Sequence, residues 1–398
     1  MSEVPARFAG LECPRCGEDF DPGFDVTHCQ RCDSLLEPRG DLSSISLTRK
    51  ELERRPFTSM WRYEAFLPFE SDSAVSIGEG ATPLVACPNL AESLGVGELW
   101  IKLEGANPTG TFKDRGQSMA VTAATLAGAD TIALASAGNA GHAAAAYGAR
   151  AGLDVRVYLP ARSGFSQKAL VNVHGADLTV VQGRLPEAGA AFREALTAHP
   201  DWCSVATDDT PFRREGKKTM FLEIAEQLDW ASPDAIVYPT GGGVGLLGMA
   251  KGADELTRLG WIDRPPRFFA AQSTGCAPVV EAFHTGREEI HPIEQPDTIC
   301  GGIEVPNPTA GSLILEAIRD SDGGAVASDD DEILDSALQV AETEGIAMAP
   351  TAGATVSGTR SLVADGELGT DDVVVLVATG SGLKEADVLR SQLMSKGV

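Results

Sequence analysis

From about residue 98 onward, short apolar runs alternate with amphipathic stretches of helix length, and few folds accept that rhythm. Strands are expected at 99–103, 131–135, 155–159, 177–181, 235–238, 267–271 and 372–378. Helices are expected at 112–127, 139–151, 165–174, 186–198, 213–230, 244–258, 329–345, 352–364 and 384–395. Strand–helix alternation of this length predicts an α/β fold with mostly parallel sheets covered by helices. A chain of 398 residues suits two to three domains. No internal repeat or low-complexity tract interrupts it.

Open α/β sheets bind ligands beyond the carboxyl ends of their strands. Four strand ends here run into Gly- or Ser-rich turns that open a helix. The first is Glu104-Gly-Ala-Asn-Pro-Thr-Gly-Thr-Phe-Lys113-Asp114-Arg115-Gly116. A charged Lys is unfavourable at a helix start, so the site favours the neutral amine that attacks an aldehyde. The plain reading is a surface Lys beside Asp114 and Arg115. The second turn, Ser136-Ala-Gly-Asn139-Ala-Gly141, offers a hydroxyl, an amide and backbone N–H groups suited to a carboxylate or ring oxygen. An ordinary helix cap reads the same way. The third, Pro239-Thr-Gly-Gly-Gly243-Val-Gly245, lacks the Lys-Ser/Thr of a nucleotide P-loop and fits a bare phosphate group better. A tight helix–sheet crossing is its alternative. The fourth, Val377-Ala-Thr379-Gly-Ser381-Gly-Leu-Lys384, presents hydroxyls after the last strong strand, unless it too is only a cap.

Ahead of this region stand Cys13-Pro-Arg-Cys16 and Cys29-Gln-Arg-Cys32, separated by twelve residues. Two C-x-x-C pairs at this spacing match a four-thiolate structural zinc site, whose filled shell leaves no position for chemistry. Gly17 suits the turn after the second Cys. Cys87, Cys203, Cys276 and Cys300 are scattered and expected to be plain buried side chains.

The charge is unusual: 57 Asp and Glu against 32 Lys and Arg leave −25, and only nine of the 32 cations are Lys. Such a surface repels nucleic-acid backbones and anionic membranes, so neither is an expected partner. An acid-rich, Lys-poor surface suits high internal salt, which screens self-repulsion; a simply acidic enzyme is the other reading. The longest apolar runs are too short to span a bilayer. The N-terminal stretch has no apolar segment of secretory type, so a cytoplasmic protein is expected.

Taken together the turns resemble the tryptophan-synthase-like, fold type II enzymes that use pyridoxal phosphate (PLP), and within them the threonine synthases. Asn107–Gly116 is similar to N-P-T-G-[ST]-F-K-D-R-G, Ser136–Asn139 to S-x-G-N, and 210–219 to N-P-x-R-x-E-G-x-K-T. Thr379–Lys384 is similar to T-G-x-G-L-K, and Ile303–Pro308 echoes I-x-x-x-N-P. The likeness runs from about residue 75 to the end, and some members carry an N-terminal zinc ribbon.

The resemblance implies a two-lobed enzyme: a ribbon at 1–40, a large PLP-binding lobe from 41–116 and 213–398, and a small mobile lobe at 117–212, with PLP in the cleft. It implies that Lys113 bonds covalently to PLP and that Asn139 meets the ring hydroxyl oxygen. Gly241, Gly242, Gly243, Val244 and Gly245 would hold the phosphate, and Thr379 the pyridine nitrogen. Ser136 would hold the substrate carboxylate, and Arg213 with Lys218 the substrate phosphate. The implied reaction takes O-phospho-L-homoserine and water to L-threonine and phosphate, and a homodimer is the usual assembly.

The sequence departs from the family pattern at three places: Ala349 stands where a Glu precedes the Pro, Ser381 where T-G-H-G has His, and Thr210 where Asn precedes Pro211. These touch the substrate side more than the cofactor side. Rival readings are a threonine/serine dehydratase-like ammonia-lyase, an O-phosphoserine β-replacement enzyme of the cysteate synthase kind, and a non-catalytic regulator of the same fold. Asp114 and the Arg213 segment favour a phosphorylated substrate.

Overall fold

The computed structural model describes residue 5, residues 7–386 and residues 388–390. Along the chain, strands β1 (Leu11–Glu12), β2 (Asp19–Phe20) and β3 (Glu37–Pro38) precede a short helix α1 (Arg49–Glu53). Then follow β4 (Leu84–Ala86), α2 (Pro88–Leu94), β5 (Glu98–Leu103), α3 (Lys113–Ala127), β6 (Thr131–Ala135) and α4 (Asn139–Ala151). Next come β7 (Asp154–Pro160), α5 (Phe165–Val173), β8 (Asp177–Val181), α6 (Leu185–Ala198), β9 (Cys203–Ser204) and α7 (Phe212–Gln227). The remainder is β10 (Ala235–Pro239), α8 (Val244–Arg258), β11 (Arg267–Ser273), α9 (Pro278–His284), α10 (Gly311–Asp320), β12 (Gly324–Ser328), α11 (Asp330–Glu344), α12 (Pro350–Ala364) and β13 (Val373–Ala378). The expected helix at 384–395 opens with a 3-10 turn, Gly382–Glu385, and residue 387 and residues 391–395 of it lie outside the described residues.

The chain packs as two units. The first takes the chain up to Ala81 with Asn107–Thr109 and Lys113–Thr219; the second takes Thr82–Ala106, Gly110–Phe112 and the chain from Met220. The second unit holds a six-stranded sheet, order β12-β11-β10-β13-β5-β4, parallel except for the edge strand β4. Its strand β13 reads Val-Val-Val-Leu-Val-Ala and lies between β10 and β5. A continuous apolar run is what a strand covered on both faces requires.

The first unit holds a four-stranded parallel sheet, β8-β7-β6-β9. The Ala-rich faces of α3 and α4 pack on it with Ile132, Leu134 and Val157. A second core in this unit joins the three-stranded antiparallel ribbon (β2-β1-β3) to Met60, Trp61, Phe69, Met119 and Phe212. The mixed α/β architecture with mostly parallel sheets is as expected. Among the described residues no helix is long and apolar enough to cross a membrane.

Candidate active site

In the first unit, the loop before α3 is fixed from both ends. Asn107 Oδ1 accepts from the Gly80 N–H at 2.9 Å. Asp114 is fully buried and accepts from the Thr109 N–H at 2.6 Å and from the Thr109 hydroxyl. Lys113 is therefore the first residue of a helix whose start is tied down. Burial, and then the nearby Arg213 charge, pull its amine from 10.5 down to about 7. The neutral amine that the sequence calls for is thus populated near neutrality.

Arg213 is buried in the first turn of α7. Its guanidinium donates to Thr207 Oγ1 at 2.7 Å and to the Val205 carbonyl at 3.3 Å. Its Nε has no partner among the described residues. Burial lowers it to about 10, so it stays charged. Lys218, expected beside it, is engaged elsewhere: its ammonium donates to Glu215 Oε2 and to the Phe66 carbonyl, both at 2.7 Å, and it is buried. The buried cation one turn after Arg213 is instead Lys217, and a methyl on Gly116 would meet its Nζ at 2.6 Å. Sequence reading passed over Lys217, although its four-residue offset from Arg213 placed the two on one helix face.

The second turn opens α4 at Asn139. Ser136 Oγ accepts from the N–H groups of Gly138 and Gly141, both at 3.0 Å, which shapes the loop and leaves the hydroxyl proton to donate. Asn139 Oδ1 is buried with no partner among the described residues. A buried amide oxygen of this kind is free to accept from a bound polar group.

In the second unit, the third turn is anchored at Thr240. Its N–H donates to the Ala271 carbonyl at 2.8 Å, and its carbonyl accepts from Gln272 at 2.9 Å. The left-handed Gly243 (φ +70°) begins α8, and no side chain caps that helix start. A methyl on Gly243 would strike Ile314, and one on Gly245 would strike the Tyr238 hydroxyl, whereas beside Gly242 there is open space. Uncapped N–H groups at the start of a long helix, beside room for a group to approach, fit a phosphate. In the same unit Thr379, Gly380 and Ser381 run along Gly110–Phe112: Phe112 N–H donates to the Thr379 carbonyl, and Ser381 N–H to the Gly110 carbonyl, both at 3.0 Å. Phe112 is the residue before Lys113 in the chain. Thr379 is buried. Two of the departures noted above are neighbours, since the Ala349 N–H donates to the Gly380 carbonyl at 2.9 Å and Met348 pairs with Ser381.

The four N-terminal cysteines converge. All four sulfurs lie within 4.8 Å of one another, with Cys13–Cys32 at 3.4 Å and Cys16–Cys29 at 3.6 Å. Four ligands at about 2.3 Å from a tetrahedral ion stand about 3.8 Å apart, so the cluster is compatible with zinc. The two knuckles repeat: Gly17 N–H donates to the Cys13 carbonyl and Asp33 N–H to the Cys29 carbonyl, each 2.9 Å. Gly17 and Asp33 both adopt left-handed backbone.

In the first unit a lysine drawn toward neutrality and an orphaned asparagine oxygen, and in the second a glycine cradle at a helix start, are each of a kind that suits one part of a phosphorylated aldehyde cofactor. The family model "Pyridoxal-phosphate dependent enzyme" matches residues 75–380. The chain belongs to this family. It is 39% identical to a threonine synthase of Methanosarcina acetivorans over 94% of this chain and 92% of that one. It is 35% identical to a threonine synthase of Methanocaldococcus jannaschii over 94% and 93%. Among solved structures, an L-serine ammonia-lyase from Rhizomucor miehei superposes with a TM-score of 0.68 at 24% identity, over 78% of this chain and 98% of that chain. That likeness bears on the fold, which is that of fold type II PLP enzymes.

Proposed function

We propose that this enzyme catalyses the threonine synthase reaction, in which O-phospho-L-homoserine and water give L-threonine and phosphate. The observation that carries the proposal is identity of 39% to a threonine synthase over nearly the whole of both chains. The buried, charged Arg213 beside the Lys113 amine supports it further. A guanidinium is well suited to paired hydrogen bonds with a phosphate, which an unphosphorylated hydroxy amino acid lacks.

In this reading Lys113 is the group that bonds to the cofactor aldehyde. Asn139 would meet the cofactor's ring hydroxyl, the N–H groups of Gly241, Gly242, Gly243, Val244 and Gly245 would hold its phosphate, and Thr379 would serve its ring nitrogen. The bound cofactor supplies an electron sink for substrate carbanions. The Lys113 amine would take the substrate's α-proton and return protons later, a role that an amine drawn toward neutrality suits. Ser136 donates its hydroxyl proton to the substrate carboxylate. Arg213 clamps the substrate phosphate and neutralises the leaving group as it departs from the γ-carbon. Water then adds at the β-carbon. Lys218 holds Glu215 and the Phe66 backbone, stiffening α7, and the four cysteines hold a structural zinc. The segment 117–212 is the mobile lobe in this proposal, the enzyme works as a cytoplasmic homodimer, and its surface carries no nucleic acid or membrane.

The test is product analysis with purified, PLP-loaded enzyme in high salt. Threonine and phosphate in equal amounts from O-phosphohomoserine is the expected result. Turnover only of O-phosphoserine, or only of free serine or threonine, would replace the proposed substrate.

A further inference from the structure

Arg213 is held at its tip by Thr207 and Val205. Its backbone is held by something else. The residues on either side, Phe212 and Arg214, both reach the N-terminal ribbon. Phe212 packs its ring against Phe8 at 5.4 Å, Phe24 at 5.8 Å and Phe69 at 5.1 Å. Arg214 forms an ion pair with Glu37, the first residue of ribbon strand β3, and both side chains are buried. Glu37 is itself fixed, because β3 pairs with β1 and the next residue back, Leu36, is fully buried in the ribbon core.

Successive helical residues are 100° apart. Contacts at 212 and 214 therefore grip the first turn of α7 on two flanks, one on either side of Arg213, while Thr219 and Lys218 hold the helix further along. A planar guanidinium recognises phosphate through paired hydrogen bonds, and that geometry tolerates little rotation. We propose that Glu37 is a positioning residue: through Arg214 it holds the first turn of α7 and so the aim of Arg213 at the substrate phosphate. The ribbon would then contribute to phosphate affinity without touching substrate. This rests on the substrate reading given above.

The experiment compares wild-type holoenzyme with Glu37→Gln and Glu37→Asp. It reads KM and kcat for O-phosphohomoserine, and the inhibition constant of inorganic phosphate. Cofactor absorbance and melting temperature report folding. In Glu37→Gln, KM and the phosphate inhibition constant are expected to rise together about tenfold, with kcat within about twofold and full cofactor content. Glu37→Asp, which keeps the charge, is expected to recover part of the phosphate affinity. Unchanged KM and phosphate inhibition in a folded, loaded Glu37→Gln enzyme would overturn the proposal. So would a loss of activity that only follows loss of cofactor, which is the mark of a structural role. Should Glu37→Gln fail to fold, Arg214→Gln, which breaks the same pair from its other side, decides: a folded, loaded enzyme with wild-type phosphate inhibition refutes the proposal. If the wild type does not turn over O-phosphohomoserine, the substrate reading fails on its own. Phosphate binding, followed by the cofactor absorbance, still judges Glu37 in that event.

Discussion

Lys113 should behave as a lysine made neutral by its surroundings, and the size of the effect can be worked out. Burial first, and the Arg213 charge second, bring it from 10.5 to about 7. At pH 7 about half of the amines are then neutral, against about 0.03% for an ordinary lysine, a gain of roughly a thousandfold in reactive amine. In cofactor-stripped protein the rate of PLP uptake should rise with pH and level off above a midpoint near 7. The same shift acts on stability. Between pH 7 and 10.5 the unfolded chain binds the proton and the folded one releases it, so stability rises with pH across that window. Below pH 7 both states are protonated and the full penalty applies.

For the cofactor-free protein the penalty is about 4 kcal/mol at pH 7 and about 2 kcal/mol at pH 9. Lys113→Met removes it. The variant should exceed the wild type in unfolding free energy at pH 7, and the gap should shrink by about 2 kcal/mol at pH 9. Uptake kinetics and urea unfolding at the two pH values provide the test. An uptake midpoint that stays near 10, or a gap independent of pH, would refute the desolvation argument.

Four further outcomes are expected. Gly243→Ala places a methyl against Ile314 at a left-handed position and should cost about 1–3 kcal/mol in urea unfolding. Gly242→Ala meets open space and should leave stability within about 0.5 kcal/mol, yet raise the PLP dissociation constant, because the methyl stands where the phosphate is proposed to approach. Metal analysis should find one zinc per chain bound through Cys13, Cys16, Cys29 and Cys32, and Cys29→Ser should both abolish it and lower the melting temperature. Unfolding free energy should rise from low to molar salt, given the charge of −25; a flat response would dismiss the salt-adaptation reading.

The turns were legible because each couples an apolar strand to glycine, serine or threonine at a helix start, all within a dozen residues. The ribbon was legible for the same reason, its four ligands lying in two short motifs. Strand β12 was not. Gly-Ala-Val-Ala-Ser has little β-branched character, and its place at the sheet edge comes from pairing with β11. Nor did the sequence betray that Lys218 reaches the Phe66 carbonyl, or that Trp61 and Tyr147 donate to the buried Glu79 at 2.7 and 2.9 Å. These pairs are far apart in the chain, and only tertiary packing selects a partner for a buried charge. The Glu37–Arg214 pair belongs with them: from sequence, each is one charge among many.

The first unit also explains why Lys113 and Arg213 influence each other at all. Helices α3 and α7 meet at glycines. A methyl on Gly216 would run into the Arg115 carbonyl, and one on Gly116 would meet the Arg213 carbonyl at 3.1 Å. Lys113 stands three residues before Gly116, and Arg213 three residues before Gly216, so each is one turn from the crossing. The crossing therefore sets the distance between amine and guanidinium, and any side chain larger than hydrogen at either glycine pushes both. Beyond the crossing, Arg115 donates to Thr219 at 3.0 Å and Lys218 to the Phe66 carbonyl, so the rest of α7 is held as well. Phe212 and Arg214 add a hold on its first turn through the ribbon, and this gives an N-terminal module with no chemistry of its own a physical reason to be attached to an enzyme.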